Sequence, residues 1–159
     1  MKLKLGRSCA ARVRIFTWDE IIAGVKEGWL DPGVAVDYAI RQMRNGNSED
    51  TVHGLAGCSY SDPMSIQDYL EQMEADKPVL TIANKKWAMI MLALGFEQRV
   101  KLLSPLQFVE EIYAEYDYVP EISHLVRYMP ADGSPRNLMV DWEQFINEHV
   151  YDVLIDRLS

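Results

Sequence analysis

Apolar residues recur at helical spacing along most of the chain. The segment Thr17-Trp18-Asp19-Glu20 has the form of a capping box, which begins a helix by satisfying its first free N–H groups. Its apolar face is predicted to consist of Trp18, Ile21, Ile22, Val25 and Trp29. Asp31-Pro32 begins a second helix, and Asn45-Gly46 ends it. A connection this short predicts that the two helices pack as an antiparallel hairpin.

Further helices are predicted beyond a loop, with at most one helical turn, over residues 47–63. They cover residues 62–74, residues 76–94 with Gly95 as the stop, a helix from Ser104-Pro105, a shorter one from Pro120, and a last one from Ser134-Pro135. That last helix is expected to have about 24 residues and a length of roughly 36 Å. Trp87 to Leu94 is apolar on nearly every side, which is typical of a central buried helix.

The pattern as a whole predicts a mainly α fold, a single-domain helical bundle of about six or seven helices over residues 1–159. Loose alternation from Cys9 to Phe16 leaves room for one short N-terminal β-strand. Residues 1–14 are basic and contain no acid, so they are predicted to be either that strand or a loosely ordered segment.

The charge balance narrows the class of partner. The chain carries 24 acidic against 16 basic residues, a net charge of −8. Phosphate backbones repel such a protein, so nucleic acid is disfavoured as a direct partner and a basic protein is favoured. The longest uncharged apolar run, Trp87 to Phe96, is about half of what a bilayer requires, so no membrane association is predicted. Two cysteines and no secretory signal indicate a cytoplasmic protein with reduced thiols.

No strong catalytic pattern is present in the sequence. It lacks a glycine-rich phosphate loop, a dinucleotide fingerprint, HExxH, CxxC and GxSxG, and we predict neither a metal nor a cofactor. A nucleophilic pair of Cys58 with His53, His124 or His149 is one alternative, which would make the chain a hydrolase. His149 lies on the apolar face of the last predicted helix, which favours a packed core imidazole.

Acidic residues are concentrated in two stretches that contain no base. The first stretch holds Glu49, Asp50, Asp62, Asp68, Glu71, Glu74 and Asp76. The second holds Glu110, Glu111, Glu115, Asp117 and Glu121. Glu110 and Glu111 lie opposite the apolar stripe of their helix and are predicted to face solvent. Ordinary solubility and a surface for a cationic partner both explain such acids.

Tyrosines beside these acids favour an interface, because tyrosine is enriched where proteins bind each other. The predicted partner-binding residues are therefore Glu110, Glu111, Glu115, Tyr116, Asp117, Tyr118 and Glu121. The acidic loop and helix from Glu49 to Glu74 form a second candidate surface.

Several motifs carry a family resemblance. They are Val109-Glu-Glu-Ile-Tyr-Ala-Glu-Tyr-Asp-Tyr-Val-Pro120, Val126-Arg-Tyr-Met-Pro130, and Phe16-Thr-Trp-Asp-Glu-Ile21 with Gly24 and Gly28-Trp29-Leu30. Together they resemble a family of small bacterial proteins of unknown function that is associated with polymorphic-toxin and contact-dependent inhibition loci. The resemblance implies a cytoplasmic immunity protein that binds a cognate toxin domain, often a nuclease and hence basic. It implies no catalytic residues. A non-catalytic adaptor in a larger assembly remains the other alternative.

Overall fold

The computed structural model describes residues 3–14, 16–76, 83–127 and 137–158. Within these ranges the chain is helical, with turns and isolated bridges but no β-strand, which confirms the mainly α prediction. Its contacts cluster into two compact units, which we call the N-terminal unit (residues 2–81) and the C-terminal unit (residues 82–159). The prediction of one domain over residues 1–159 stays a prediction.

The N-terminal unit is built from five α-helices within its described residues. They are α1 (Arg7–Ala10), α2 (Trp18–Lys26), α3 (Gly33–Arg44), α4 (Asp50–Ala56) and α5 (Pro63–Asp76). α3 packs most extensively against α4, and α2 packs against α5. The predicted hairpin of α2 with α3 is therefore not the main packing in this unit, because α4 and α5 occupy the places beside them.

Local capping fixes where α2 and α3 begin. Thr17 Oγ1 accepts a hydrogen bond from the Glu20 N–H at 3.3 Å, and Glu20 Oε1 accepts one from the Thr17 N–H at 2.9 Å. This is the predicted capping box. At α3, Asp31 Oδ1 accepts from the Gly33 N–H at 2.8 Å. The helix ends at Arg44, and Gly46 follows with a φ of 94°, so both predicted ends are confirmed.

The alternation from Cys9 to Phe16 does not form a strand in the described residues. Arg7–Ala10 is a helical turn instead. A backbone contact in extended conformation lies nearer the N-terminus, at Leu5. The Leu5 N–H donates to the Trp29 carbonyl at 2.7 Å, and the Asp31 N–H donates to the Leu5 carbonyl at 2.9 Å. Leu5 is fully buried there, so its bridge to Leu30 anchors the N-terminal segment.

The predicted loop over residues 47–63 contains α4, a helix of seven residues. Val52 and Leu55 on α4 are fully buried. Gly54 lies within α4, and the Tyr69 ring of α5 packs onto it. A Cβ at Gly54 would stand 2.5 Å from Tyr69 Cε1. The glycine that weakens the local helix signal is thus required by a neighbouring helix.

The C-terminal unit is also helical within its described residues. Its elements are α6 (Ala83–Glu97), a 3₁₀ helix (Arg99–Lys101), α7 (Pro105–Glu115), a second 3₁₀ helix (Pro120–Leu125) and α8 (Leu138–His149). α6 packs against both α7 and α8. All its side chains from Trp87 to Leu94 are buried, which confirms the prediction of a central buried helix.

Gly95 does not end α6, which continues to Glu97. The glycine instead admits the ring of Phe108 from α7, since a Cβ at Gly95 would stand 2.6 Å from Phe108 Cζ and closer still to Cε1. Phe108 in turn stacks on Trp142 of α8 with ring centroids 6.2 Å apart. Trp142 Nε1 donates a hydrogen bond of 3.0 Å to the Leu92 carbonyl of α6. These contacts join α6, α7 and α8 at one point. The predicted start of α6 at Lys77-Pro78 lies outside the described residues.

The last helix is shorter than predicted. α8 has 12 residues and ends at His149, whereas the predicted start at Ser134-Pro135 lies outside the described residues. Asp152 then adopts a left-handed φ of 62°, and its N–H donates to the Ile155 carbonyl at 2.9 Å. The turn buries Ile155 and leaves Val153 exposed.

Among the residues that the structure describes, no helix is both long and apolar enough to cross a membrane.

Candidate partner-binding surface

The second acid-rich stretch lies on α7 and the turn that follows it. Ser104 caps α7, since its Oγ accepts from the Gln107 N–H at 3.4 Å and Pro105 fills the first turn. The buried face of α7 consists of Phe108, Val109, Ile112 and Tyr113. Glu111 and Glu115 are exposed on the other side. Glu111 also accepts a hydrogen bond of 3.3 Å from Gln107 Nε2.

Glu110 does not face solvent as predicted. Both of its carboxylate oxygens accept hydrogen bonds from Arg127, at 2.7 Å from Nε and 3.1 Å from Nη2. Its side chain is only 20% exposed. The Arg127 guanidinium lowers the pKa of Glu110, outweighing the smaller opposing effect of burial. Glu110 therefore fastens the segment after the second 3₁₀ helix to α7, and its charge is neutralised by that pair.

Tyr116 is buried in the core, contrary to the prediction that it contributes to a partner-binding surface. It ends α7 with only 2% of its surface exposed. Burial, with the nearby charge of Glu115 adding to it, raises the pKa of Tyr116 far above its ordinary value. The ring therefore stays neutral and stabilises the end of the helix from inside.

Asp117 and Tyr118 form a turn with two successive left-handed residues, at φ values of 65° and 57°. The Tyr118 N–H donates to the Tyr113 carbonyl at 2.8 Å, and the Asp117 N–H donates to the Ala114 carbonyl at 3.2 Å. This is a Schellman arrangement, in which a left-handed residue ends a helix. The rings of Tyr113 and Tyr118 meet edge to face at 5.3 Å. Tyr118 still leaves 57% of its surface exposed.

Glu121 lies apart from that turn and pairs with Lys85 at 3.2 Å. A hydrogen bond from its own backbone and one from Lys85 both lower the pKa of Glu121, and burial opposes them only weakly. The side chain is exposed, but the Lys85 ammonium offsets its charge.

Four of the seven predicted residues thus form an exposed surface on α7 and the turn after it. We call this surface the acidic turn and define it as Glu111, Glu115, Asp117 and Tyr118. It carries three exposed carboxylates and one exposed tyrosine ring. Such an arrangement can attract a cationic partner and then bury an amphipathic side chain against it.

Strain in the acidic turn is measurable by substitution at Asp117. A left-handed non-glycine residue costs about 1 kcal/mol, and glycine avoids that cost. We therefore expect Asp117→Gly to raise the free energy of unfolding by about 0.5–1 kcal/mol in urea denaturation. Asp117→Ala is the matched control, because it removes the same carboxylate and keeps the strain. Equal stabilisation by both substitutions would contradict the strain argument.

Several acids of the second candidate surface, from Glu49 to Glu74, have structural roles. Asp62 accepts from the Ser65 N–H at 3.2 Å and from its hydroxyl at 2.7 Å, and these bonds lower the pKa of Asp62. Glu74 pairs with Lys26 at 3.0 Å and links α5 to α2. Glu49, Asp68 and Glu71 are exposed. The side chain of Asp76 lies outside the part of the chain that the structure describes.

The alternative of a cysteine nucleophile receives no support from Cys58. Its thiol donates to the Gly54 carbonyl at 3.4 Å. Burial, and secondarily Asp62, raises the pKa of Cys58, whereas a nucleophilic thiol needs a lowered one. His53 Nε2 lies 3.2 Å from the Asn47 carbonyl. Within the part of the chain that the structure describes, no three His, Cys, Asp or Glu side chains are grouped to hold a metal ion.

The two histidines of the C-terminal unit flank the ring of Phe145. His124 lies 5.6 Å from it and His149 lies 5.0 Å from it, measured between ring centroids. The prediction of a buried core imidazole at His149 is wrong, because its side chain is 56% exposed. α8 ends at this residue, and the buried positions that follow it are Val150 and Tyr151.

Residues 10–150 of the chain match the model of a bacterial protein family. The family is described as an uncharacterized protein conserved in bacteria (DUF2247). No curated protein matches the chain. No solved structure matches it either.

Proposed function

We propose that this chain, which belongs to the DUF2247 family of uncharacterized bacterial proteins, is an immunity protein that binds and neutralises a cognate toxin domain. The observation that carries the proposal is the acidic turn. Its three exposed carboxylates and its exposed tyrosine lie on a capped helix and in the turn that ends it. The toxin-immunity role itself comes from the family resemblance of the motifs around residues 109–120 and 16–30.

Electrostatics supports a basic partner. The chain has a net charge of −8, so its long-range field attracts a cationic domain and accelerates encounter. A nuclease domain presents a cationic groove where its substrate's phosphates bind. Carboxylates of the acidic turn seated in such a groove would take the place of those phosphates and exclude the substrate. Inhibition then requires no chemistry in the immunity protein.

The acidic turn is also preorganised, which limits the entropy lost on binding. The Schellman hydrogen bonds and the contact between the rings of Tyr113 and Tyr118 hold its backbone. A fixed tyrosine supplies contact area with few rotatable bonds, and tyrosines are frequent among the residues that dominate interface energetics. Tyr118 is therefore the expected anchor, with Glu111, Glu115 and Asp117 around it.

The function is tested by co-expression with the protein encoded immediately upstream in the same locus. Survival of the host, together with a complex that survives purification, is the expected result. The upstream protein alone should stop growth. An upstream protein that is harmless, or one that kills regardless of this chain and forms no complex with it, would reject the immunity role.

Charge reversal locates the binding surface. Glu111→Lys, Glu115→Lys and Asp117→Lys combined should weaken toxin binding by about tenfold to a hundredfold, mainly through slower association. The measurement is surface plasmon resonance at two salt concentrations. The loss should shrink at the higher one, because exposed charges are screened.

A matched variant reverses three exposed acids of the other candidate surface, Glu49→Lys, Asp68→Lys and Glu71→Lys. It carries the same change in net charge, so we expect a much smaller loss of affinity. The opposite ranking of the two variants would assign binding to the N-terminal unit instead. Far-UV circular dichroism and thermal melting establish that both variants stay folded.

A further inference from the structure

A hollow of about 340 Å³ opens in the N-terminal unit beside α1 and α3. Its charged lining is formed by Arg7, Asp37, Arg41 and Arg44. Aromatic side chains in the wall are Phe16, Tyr38 and Tyr60. Its volume is at the small end of the range of ligand pockets, roughly 300–1,000 Å³. We call this feature the arginine hollow.

The concentration of arginine here contrasts with the chain as a whole, which has a net charge of −8. Asp37, Arg41 and Arg44 follow one another at helical spacing along one side of α3. Arg41 and Arg44 are exposed, and in the described ranges neither makes a hydrogen bond or an ion pair. Their guanidinium groups therefore retain their donors for a ligand.

Arg7 is held at the hollow by contacts on two sides. Its Nε and Nη2 donate to the Asp37 carboxylate at 2.8 and 3.0 Å. Its guanidinium lies 3.6 Å above the centre of the Tyr60 ring, and the Tyr60 hydroxyl donates to Asp37 at 2.7 Å. Burial raises the pKa of Asp37, but the bonds from Arg7 and Tyr60 together lower it, so the carboxylate stays charged.

Gly33 permits this arrangement at the first turn of α3. A Cβ on it would stand 3.0 Å from Arg7 Cδ and 3.2 Å from Tyr60 Cδ1. A side chain there would push both residues aside by a few tenths of an ångström. The arginine and the ring beneath it are thus placed by the backbone of α3, before any ligand arrives.

The charge of the hollow identifies the kind of anion. Three arginines and one aspartate leave two positive charges in excess. A phosphate monoester carries about −1.5 to −2 at neutral pH and matches that excess, whereas one carboxylate neutralises only half of it. Guanidinium groups also bind phosphate oxygens in pairs. A nucleic acid strand is disfavoured because the rest of the chain repels a polyanion.

We propose that the arginine hollow binds a small phosphorylated molecule with a flat apolar body, of the mononucleotide class. Arg41 and Arg44 bind the phosphate, and Arg7 adds the donors that Asp37 leaves unused. The rings of Phe16 and Tyr38 contact the body of the ligand. This site is independent of the acidic turn.

Isothermal titration calorimetry on the full chain tests the proposal with adenosine 5′-monophosphate as the probe. Adenosine and benzoate serve as comparison ligands, one without the phosphate and one with a carboxylate. The expected result is saturable binding of the monophosphate, with both comparison ligands at least about tenfold weaker.

The site is assigned by a pair of variants with equal net charge. Arg41→Gln with Arg44→Gln should weaken binding of the monophosphate by at least about tenfold. Lys4→Gln with Lys101→Gln, which removes two exposed cations that do not line the hollow, should leave it unchanged. Arg44→Glu alone gives a second test and should also weaken binding of the monophosphate by at least about tenfold.

Three results would overturn the proposal. The first is the absence of saturable binding by the monophosphate at about 10 mM, a concentration well above the weakest specific affinities of interest. The second is equal binding of benzoate, which would indicate a carboxylate site. The third is equal loss in both paired variants, which would indicate attraction to the net charge of the chain alone.

Discussion

Gly95→Ala should lower the free energy of unfolding by about 3 kcal/mol. The added Cβ would overlap the ring of Phe108, which is buried with only 3% of its surface exposed. That ring has little room to move, because it is buried and stacks on Trp142. The cost must therefore be met by moving α7 away from α6. Guanidinium denaturation followed by circular dichroism measures the loss.

Two other glycines supply controls for that substitution. A Cβ at Gly57 would make only ordinary contacts, the nearest at 3.6 Å, so Gly57→Ala should change stability by less than about 0.5 kcal/mol. A Cβ at Gly54 would also collide, but with Tyr69, which is half-buried. The Tyr69 ring can swing towards solvent, so Gly54→Ala should fall between the other two. Similar losses at Gly95 and Gly57 would contradict the overlap with Phe108.

Trp142→Ala should cost about 3–5 kcal/mol, the usual range for removing a large buried aromatic side chain. Trp142 is fully buried and contacts the rings of Phe96 and Phe108, at centroid distances of 5.2 and 6.2 Å. Its indole N–H also donates to the Leu92 carbonyl. Urea denaturation measures the loss in the free energy of unfolding. The same experiment on a second substitution separates the contribution of packing from that of the hydrogen bond.

That second substitution is Trp142→Phe. It keeps an aromatic ring against Phe96 and Phe108 but removes the donor to Leu92, so we expect a loss of about 1–3 kcal/mol. A phenylalanine variant as unstable as the alanine variant would mean that the hydrogen bond, and not the ring packing, dominates. A phenylalanine variant with unchanged stability would show that the hydrogen bond contributes nothing net.

The helix starts could be predicted because capping is local. Thr17 and Glu20 exchange hydrogen bonds within one turn, as do Asp31 and Gly33, so the residues that decide these starts are neighbours in the sequence. The buried character of residues 87–94 was also readable, because apolar residues cover every side of that helix. Both inferences depend only on short-range pattern.

Glycines within helices could not be interpreted in the same way. Gly54 and Gly95 look like helix breakers in the sequence, yet each lies inside a helix under an aromatic ring from another helix. The partner rings are 15 and 13 residues away, at Tyr69 and Phe108 respectively. Nothing in the local pattern distinguishes a glycine that ends a helix from one that admits a ring.

The exposure of the seven candidate partner-binding residues could not be read residue by residue from the sequence. Glu110 lies beside the apolar stripe and is covered by Arg127, which returns to it from 17 residues further along the chain. Tyr116 stands at helical spacing from Ile112 and Tyr113, so its ring continues the buried face of α7. The signal in the sequence for the pairing of Glu110 is Arg127, a lone base after a long acidic stretch.

The arginine hollow was missed for a similar reason. Arg7 belongs to a segment that the sequence presents only as basic, and its partner Asp37 lies 30 residues away on α3. Arg41 and Arg44 resemble ordinary exposed helix residues when considered alone. The grouping exists only once the bridge between Leu5 and Leu30 has brought α1 beside α3.

The contact between Trp18 and Tyr38 gives the N-terminal unit a built-in optical reporter. The two rings meet edge to face at 4.6 Å, and Tyr38 lines the arginine hollow. Trp18 is half-buried, whereas Trp29, Trp87 and Trp142 are all at least 96% shielded from solvent. Indole emission responds to the polarity around the ring, so the three shielded tryptophans contribute a steady background. Occupancy of the hollow can therefore be followed by the fluorescence of Trp18, without a label on either the protein or the ligand.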